Sequence, residues 1–240
     1  GVTSTHINHL TPRVLDIDEL YARMQARGIE MIDDIQGPPR WGGPDLLLRQ
    51  TSFRALAEPR RFREPDGRIS DDTLRVRFGE VEARGLAATP RGRALYDRLL
   101  TEPGDAAANW RAAAPATERG MLDADLAYFT LAPGTERPHG PVPTTVAELL
   151  DGGWAVATPV VYEDFLPASA AGIFRSNLTG DSSRDDESDG AAVDLAWLEG
   201  AAGRPIHDPY VLYDAERAAS LDAVTAHWGL PTIPALPGDR

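Results

Sequence analysis

Two stretches of the chain carry residue types that can bind a metal ion. The first contains His6 and His9, and the second contains Glu80 and Glu82. Both stretches are predicted to be β-strands. An imidazole and a carboxylate on two separate strands are the usual components of a non-haem iron site. The sequence therefore favours a metal centre built from histidine and glutamate.

The spacing of the histidines restricts their use. His6 and His9 are three residues apart, so on a strand they point to opposite faces and at most one can enter a shared cavity. Arg13 follows His9 by four residues and leans to the same side, where it could reach a carboxylate that the metal also holds. The other three histidines have no partner at ligand spacing and are predicted to be structural or exposed: His139, His207 and His227.

The alternation of side chains along a strand predicts that the two glutamates lie on one face. In a predicted strand over residues 74–83, Glu80 and Glu82 share a face with Leu74, Val76 and Phe78. A carboxylate on an apolar inward face is costly to desolvate, and a metal or a cationic group would offset that cost. The alternative is that the strand leaves the core near Gly79 and both glutamates lie at the surface.

A polar pair lies on another predicted strand, over residues 46–53. Gln50 and Ser52 alternate there with Leu47 and Arg49. They could line the same cavity as the glutamates, or the strand could be a half-exposed edge.

Composition excludes several classes of function. The net charge of −13 argues against nucleic acid or an anionic membrane as the main partner. The chain has no Cys and no Lys, which excludes thiolate chemistry and Schiff bases. A substrate carboxylate would have to meet arginine, backbone amides or a metal. No segment reaches the length of a membrane span, and we expect a cytoplasmic protein.

The first third of the chain is predicted to be a βαβββ unit, whose sheet can curl into a half-barrel around a ligand. Its helix begins at Asp16 or Asp18 and ends at Gly28. The four strands are predicted at residues 6–14, 28–32, 46–53 and 74–83. The expected fold class is α+β, with additional helices and a carboxy-terminal extension.

The remainder is predicted to contain a helix starting at Thr89–Pro90 and a second one starting at Thr145. Strands follow at 154–157 and 160–162, then a loop at 165–174, an acidic loop at 181–190 and a tail after Gly229. We divide the chain into a metal-binding module (1–86), a segment closing the substrate cavity (87–178) and an extension (179–240).

These residues resemble a known family. The stretch 9–18, His-Leu-Thr-Pro-Arg-Val-Leu-Asp-Ile-Asp, looks like the opening strand and helix start of vicinal-oxygen-chelate modules. Together with four further stretches it is similar to the 2-oxoadipate dioxygenase/decarboxylase family. Those stretches are 47–56, 77–85, 89–99 and 162–178, and the resemblance covers most of residues 5–178.

The resemblance implies an Fe(II) enzyme that uses O₂ to convert 2-oxoadipate to 2-hydroxyglutarate and CO₂, a step in bacterial lysine catabolism. It implies His9 and Glu80 as iron ligands. Glu80 is preferred to Glu82 because residues 78–84 are also similar to the iron-binding Phe-Phe-Glu stretch of hydroxyphenylpyruvate dioxygenases. The loop at Ala168 and Ser169 corresponds to a family segment that contacts substrate, through backbone amides.

The family also uses a second iron-binding His, followed four residues later by a substrate-binding Arg, in a preceding half that this chain does not show. We therefore expect that an amino-terminal half is required for a complete site. Two other functions fit the same residues. One is a different vicinal-oxygen-chelate enzyme acting on a 2-oxo acid, such as an isomerase, and the other is a metal-free module that binds a small acid.

Overall fold

A computed structural model describes residues 12–54, 56–76, 79–164 and 195–235. These parts contain both helices and antiparallel strand pairs, which confirms the predicted α+β class. The helices are α1 (Ile17–Ala26), α2 (Pro90–Thr101), α3 (Ala106–Ala113), α4 (Glu118–Asp123), α5 (Val146–Asp151), α6 (Leu195–Ala202) and α7 (Pro209–Trp228). The strands are β1 (Leu48–Ser52), β2 (Leu56–Arg63), β3 (Ile69–Val76), β4 (Glu80–Arg84), β5 (Phe129–Pro133) and β6 (Ala155–Pro159).

Strand β4 has a neighbour on each side. It pairs with β1 in the antiparallel direction along one edge. Along its other edge, Glu82 N donates to Pro12 O (3.1 Å) and Val14 N donates to Glu82 O (2.9 Å), a parallel arrangement. The chain that leads into α1 therefore lies directly beside the strand that carries the two glutamates.

Strand β1 is flanked in the same way. Gln50 exchanges two backbone hydrogen bonds with Gln36 (2.8 and 2.9 Å), and Phe53 forms an isolated pair with Met31. Four stretches thus lie side by side in the order first, fourth, third and second along the chain. This is the connectivity of the predicted βαβββ unit, and within the described residues it does not close into a barrel.

Two of the predicted strands were wrong in extent. Residues 28–32 do not form a strand: Gly28 adopts a left-handed conformation (φ 71°) that ends α1, and pairing occurs only at Met31 and Gln36. The strand expected at 74–83 is two strands, β3 and β4, separated at Gly79, whose φ is 102°. A positive φ interrupts the extended backbone, which the alternation pattern cannot reveal.

The chain between β1 and β4 forms a hairpin whose outer part, β2 and β3, was not predicted as two strands. Both ladders have the same register, since Phe53 N donates to Gly79 O (3.4 Å) between the pairs Ser52–Glu80 and Leu56–Val76. At the tip of the hairpin, Gly67 N donates to Glu64 O (2.9 Å). The β2–β3 ribbon packs extensively against no other described element.

Helix α1 covers one face of the β1–β4 pair, which we call the outer face. Asp16 caps the helix by accepting a hydrogen bond from Glu19 N (2.9 Å). Arg49, which projects from the outer face of β1, makes a bidentate contact with Asp18 (2.6 and 2.8 Å) and donates to Pro38 O (2.8 Å). Because Arg49 is buried, this pair fixes the helix against the sheet.

Asp45 lies near this pair, and its burial raises its pKa to about 6. An unfolded Asp has a pKa of about 3.9, so the folded protein binds more protons between about pH 4 and 6. The free energy of unfolding therefore falls as pH rises through that range. We expect Asp45→Asn to be more stable than the parent by about 3 kcal/mol near pH 7.5 and by little near pH 4.

Urea unfolding at both pH values measures this difference. Asp71→Asn is the control, because the Asp71 side chain is 90% exposed in β3 and should change stability equally at both pH values. An Asp45→Asn variant whose advantage is the same at both pH values would contradict the assignment.

The hydrophobic core lies mainly between α2–α5 and the β5–β6 pair. The predicted helix starts are confirmed, since Thr89 accepts from Gly92 N (3.0 Å) and Thr145 accepts from Glu148 N (3.1 Å). Trp110 is fully buried at the centre of this core. The core also includes residues of β1 and α7, so it joins all three of the predicted divisions of the chain.

Helix α7 packs on β5 and was not predicted from the sequence. Asp208 caps its start and Gly229, with φ 66°, ends it. Arg217 holds it in place through Asp125 (2.7 Å), and its guanidinium lies 5.0 Å from the ring centre of Tyr128. Within the described residues, no helix combines the length and the apolar character that crossing a membrane requires.

Candidate functional site

The inner face of the β1–β4 pair, opposite α1, carries polar side chains. Strand alternation places Gln50 and Ser52 of β1 on this face together with Glu80 and Glu82 of β4. Three of them are nearly inaccessible to solvent: Ser52 is 2% exposed, Glu82 5% and Gln50 7%. Glu80 is half-buried. Of the two alternatives for Gln50 and Ser52, the structure shows the position beside the glutamates, and Glu82 does not lie at the surface.

Backbone hydrogen bonding brings these side chains close together. The peptide groups of Gln50 and Glu82 point away from each other, towards Gln36 and residues 12–14. Gln50–Glu82 and, two residues on, Ser52–Glu80 are thus non-hydrogen-bonded pairs. In such pairs the Cα atoms are only about 4.5 Å apart and the side chains are at their closest.

The hydroxyl of Ser52 is the most informative atom on this face. It is buried and has no hydrogen-bond partner in the described part of the chain. Buried polar atoms of native proteins nearly always have a partner, which can be a water molecule, an ion or a ligand. A buried, unpaired hydroxyl opposite a carboxylate is what a binding site for a polar ligand would contain.

The two glutamates of the inner face have different surroundings. Glu82 Oε1 accepts a hydrogen bond from Arg84 Nε (2.6 Å) and lies 3.6 Å from Arg13 Nε. Two guanidinium groups therefore neutralise the buried Glu82 carboxylate. This carboxylate is committed to an ion-pair network, which makes it poorly available to a metal ion.

Arg13 contributes to the network from the chain before α1. Its side chain is about half exposed and forms a second ion pair with Glu163. Arg13 was predicted to bind a substrate carboxylate. Its guanidinium already lies between two protein carboxylates, so a substrate would have to share it or compete for it.

Arg84 continues the inner face beyond Glu82, and the sequence analysis did not single it out. It donates to Tyr162 O (3.2 Å) and to Asp164 O, in addition to its contact with Glu82. The signal was present in the alternation, which places residues 80, 82 and 84 on one face.

The other predicted site residues fall outside the described residues. These are His9, Ala168 and Ser169. His139, His207 and His227 are exposed, as expected. Across residues 12–54, 56–76, 79–164 and 195–235, no three His, Asp or Glu side chains group closely enough to hold a metal ion. Of the two predicted metal ligands, Glu80 lies within the described residues and His9 does not.

Comparison with known proteins identifies the family to which the chain is similar. Residues 1–177 match the model of the family described as 2-oxoadipate dioxygenase/decarboxylase. A 2-oxoadipate dioxygenase/decarboxylase of Mycobacterium tuberculosis is 57% identical over 215 residues, covering 90% of this chain and 46% of that protein. Its counterpart in Pseudomonas putida is 40% identical over 238 residues, covering 91% and 50%.

A solved structure resembles the described fold. It is the hydroxyglutarate synthase of Pseudomonas putida in complex with 2-oxoadipate, which is 37% identical and has a TM-score of 0.66. The match covers 94% of this chain and 50% of that one, so the chain spans about half the length of the relatives it matches. The family match over most of the chain and the shared fold agree with the resemblance seen in the sequence, and the chain belongs to the 2-oxoadipate dioxygenase/decarboxylase family.

Proposed function

We propose that this chain forms part of an Fe(II)-dependent enzyme that converts 2-oxoadipate and O₂ to 2-hydroxyglutarate and CO₂, a step in lysine breakdown. Family membership and the relative solved with 2-oxoadipate support the reaction. The observation that carries the proposal to particular residues is the buried polar inner face with Glu80 at one end and the unpaired Ser52 hydroxyl opposite it.

Glu80 and His9 are the proposed iron ligands from this chain. A carboxylate and an imidazole suit Fe(II), which commonly binds two His and one carboxylate and keeps open positions. The neutralisation of Glu82 by Arg84 and Arg13 supports Glu80 over Glu82. His9 precedes Pro12 by three residues, and Pro12 bonds to the backbone of β4. The third ligand would come from chain that precedes Gly1.

When bound, Fe(II) would supply the electrons and the open positions that O₂ chemistry needs. The inner face of this chain would hold and orient the 2-oxo acid. Gln50 and Ser52 have donor groups that can bind its carboxylate or ketone oxygens. Burial keeps water away and strengthens these contacts.

The distal carboxylate of the substrate needs a cation or backbone amides. Every cationic side chain apart from histidine is an arginine, which binds carboxylates in a bidentate manner. Arg13 and the backbone at Ala168 and Ser169 are the proposed contacts from this chain. The reaction balances without a further reductant: the carboxyl group next to the ketone leaves as CO₂, one O₂ atom enters the new carboxylate and the other becomes the hydroxyl.

Oxygen uptake by the whole protein, including any chain that precedes Gly1, tests the proposal. With Fe(II) and a series of 2-oxo diacids of increasing length, we expect uptake to be fastest with 2-oxoadipate and equal to the 2-hydroxyglutarate formed. Conversion of a 2-oxo acid without O₂ uptake would indicate an isomerase instead. Binding of the acid with no iron retained after dialysis would indicate a metal-free module.

A further inference from the structure

A cavity of about 650 Å³ lies beside the starts of α2 and α7, and we call it the α7 cavity. Its lining includes the side chains of Asp125, Asp208, Asp214, Tyr128 and Arg217. None of its described lining residues belongs to β1 or β4, so the cavity is separate from the inner face. Ligand pockets typically span about 300–1,000 Å³, so the α7 cavity can hold a small organic molecule.

The charge of the α7 cavity favours a cation over an anion. Three aspartates and one arginine line it, which gives a formal charge of −2. Arg217 is the one cationic side chain among the described lining residues, and it is already engaged. Its Nη1 donates to Asp125 (2.7 Å) and its Nη2 donates to Asp214 (2.9 Å). An incoming anion would have to displace one of these carboxylates, whereas a cation would be attracted by both.

The two carboxylates held by Arg217 can still accept hydrogen bonds from a ligand. Both contacts use Oδ1, so Oδ2 of Asp125 and Oδ2 of Asp214 can each accept from another donor. One guanidinium holds both aspartates, so the two carboxylates lie close together. The arginine therefore fixes two acceptors at the wall of the cavity.

The hydroxyl of Tyr128 is an independent sign of a ligand. The side chain is 0% exposed, and its ring stacks on that of Tyr213 with 4.9 Å between the ring centres. The hydroxyl is buried and has no hydrogen-bond partner in the described part of the chain. Burial, and after it the nearby charge of Asp214, raises the pKa of Tyr128, which places the phenol beside that carboxylate. A buried polar atom without a protein partner usually binds a water molecule, an ion or a ligand.

The arrangement of these groups suits an ammonium group better than a metal ion. Across residues 12–54, 56–76, 79–164 and 195–235, no three His, Asp or Glu side chains converge enough to hold a metal. A primary ammonium group has three N–H donors and can bind acceptors of any kind. Asp125, Asp214 and the Tyr128 hydroxyl supply three acceptors around Arg217.

We propose that the α7 cavity binds a small organic cation through an ammonium group held by Asp125, Asp214 and the hydroxyl of Tyr128. Asp208 lines the same cavity and can meet a second cationic group of the ligand. The inference goes beyond the proposed function and does not rest on it, because the binding requires neither iron nor 2-oxoadipate.

Isothermal titration calorimetry of the whole protein, including any chain that precedes Gly1, tests this site. The probe is 1,5-diaminopentane, and the comparison compounds are 1,5-pentanediol, which has no charge, and glutarate, which has the opposite charge. We expect saturable binding of one diamine per chain. The diol and glutarate should bind more weakly by about tenfold or more, because hydrogen bonds between charged groups are the stronger ones.

Two substitutions assign the binding to the cavity. Asp214→Asn keeps an oxygen that can accept from Arg217 and removes the charge, so the Kd of the diamine should rise about tenfold. Tyr128→Phe removes only the hydroxyl, and the Kd should rise about fivefold. Without the diamine, Tyr128→Phe should unfold at the same urea concentration as the parent, because its hydroxyl has no described partner to lose.

Asp222→Asn is the matched control. Asp222 is exposed on the same helix, and the substitution removes the same charge away from the described lining of the cavity. Its Kd should equal that of the parent. Equal weakening in Asp214→Asn and Asp222→Asn would show attraction to the overall negative charge and would overturn the inference. No binding of the diamine, equal binding of the diol, or binding of Mg²⁺ that Asp214→Asn abolishes would also overturn it.

Discussion

Glu80→Ala is expected to lose bound iron and 2-oxoadipate turnover together. Glu80 is the proposed carboxylate ligand, and no other described carboxylate of the inner face is available, because Glu82 is paired with Arg84 and Arg13. Replacing a residue that supports a ligand typically costs about 10- to 100-fold in metal affinity or activity, so loss of the ligand itself should cost more than about 100-fold.

Glu82→Gln is the matched control for this prediction. The substitution lies on the same face and the same strand, two residues away, and removes the same charge. We expect iron stoichiometry close to that of the parent, measured by metal analysis after dialysis. An iron-free Glu82→Gln beside an iron-loaded Glu80→Ala would move the ligand assignment to Glu82.

Asp18→Ala is expected to destabilise the protein by about 3 kcal/mol, because it leaves the guanidinium of Arg49 buried without its carboxylate. The hydrogen bond from Arg49 stabilises the charged form of Asp18 and lowers its pKa. This stabilisation offsets part of the cost of burying the two charges. The contact fixes α1 on the outer face, behind the strands that carry the site. Chemical denaturation near neutral pH measures the change.

Glu19→Ala is the control on the same helix. Glu19 pairs with Arg23 (2.6 Å), but both side chains are more than half exposed, and such pairs contribute about 0.5 kcal/mol or less. The double variant Asp18→Leu/Arg49→Met should recover much of the stability lost in Asp18→Ala, since it removes both charges. Equal losses in Asp18→Ala and Glu19→Ala would show that burial of Arg49 has no energetic consequence.

The elements that were predicted correctly have strong local signals. Asp16, Thr89 and Thr145 are capping residues, and each accepts a hydrogen bond from the first turn of its helix. The β2–β3 ribbon was not predicted as two strands because it packs extensively on no other described element, so most of it needs no apolar face. The alternation of Leu74 and Val76 indicates only the end of β3. Pro59 and the arginines around it argue against a strand in the sequence alone.

Helix α7 was missed for a different reason. Its residues are rich in alanine and show little separation of polar and apolar faces. The terminal signals were nevertheless present, since Asp208–Pro209 is a typical helix start and Gly229 a typical end. In this region the residues at the two helix ends indicate a helix more strongly than the periodicity between them.

The site was predictable to the extent that strand alternation reports on it. Alternation placed Glu80 with Glu82 on one face and Gln50 with Ser52 on another, and pairing of β1 with β4 makes these one surface. It could not show that Arg13 lies near Glu82, because that contact joins residues far apart in sequence and depends on tertiary structure. Arg84 is only two residues from Glu82, so alternation places both side chains on one face but does not show that they form an ion pair.

The fate of the oxygen atoms tests the central claim most directly. The whole iron-loaded protein is given 2-oxoadipate under isotopically heavy O₂, and the 2-hydroxyglutarate formed is analysed by mass spectrometry. The account predicts product that carries both heavy atoms of one O₂ molecule, one in the new carboxylate and one in the hydroxyl. Product formed without heavy oxygen, or O₂ consumed without 2-hydroxyglutarate, would contradict it.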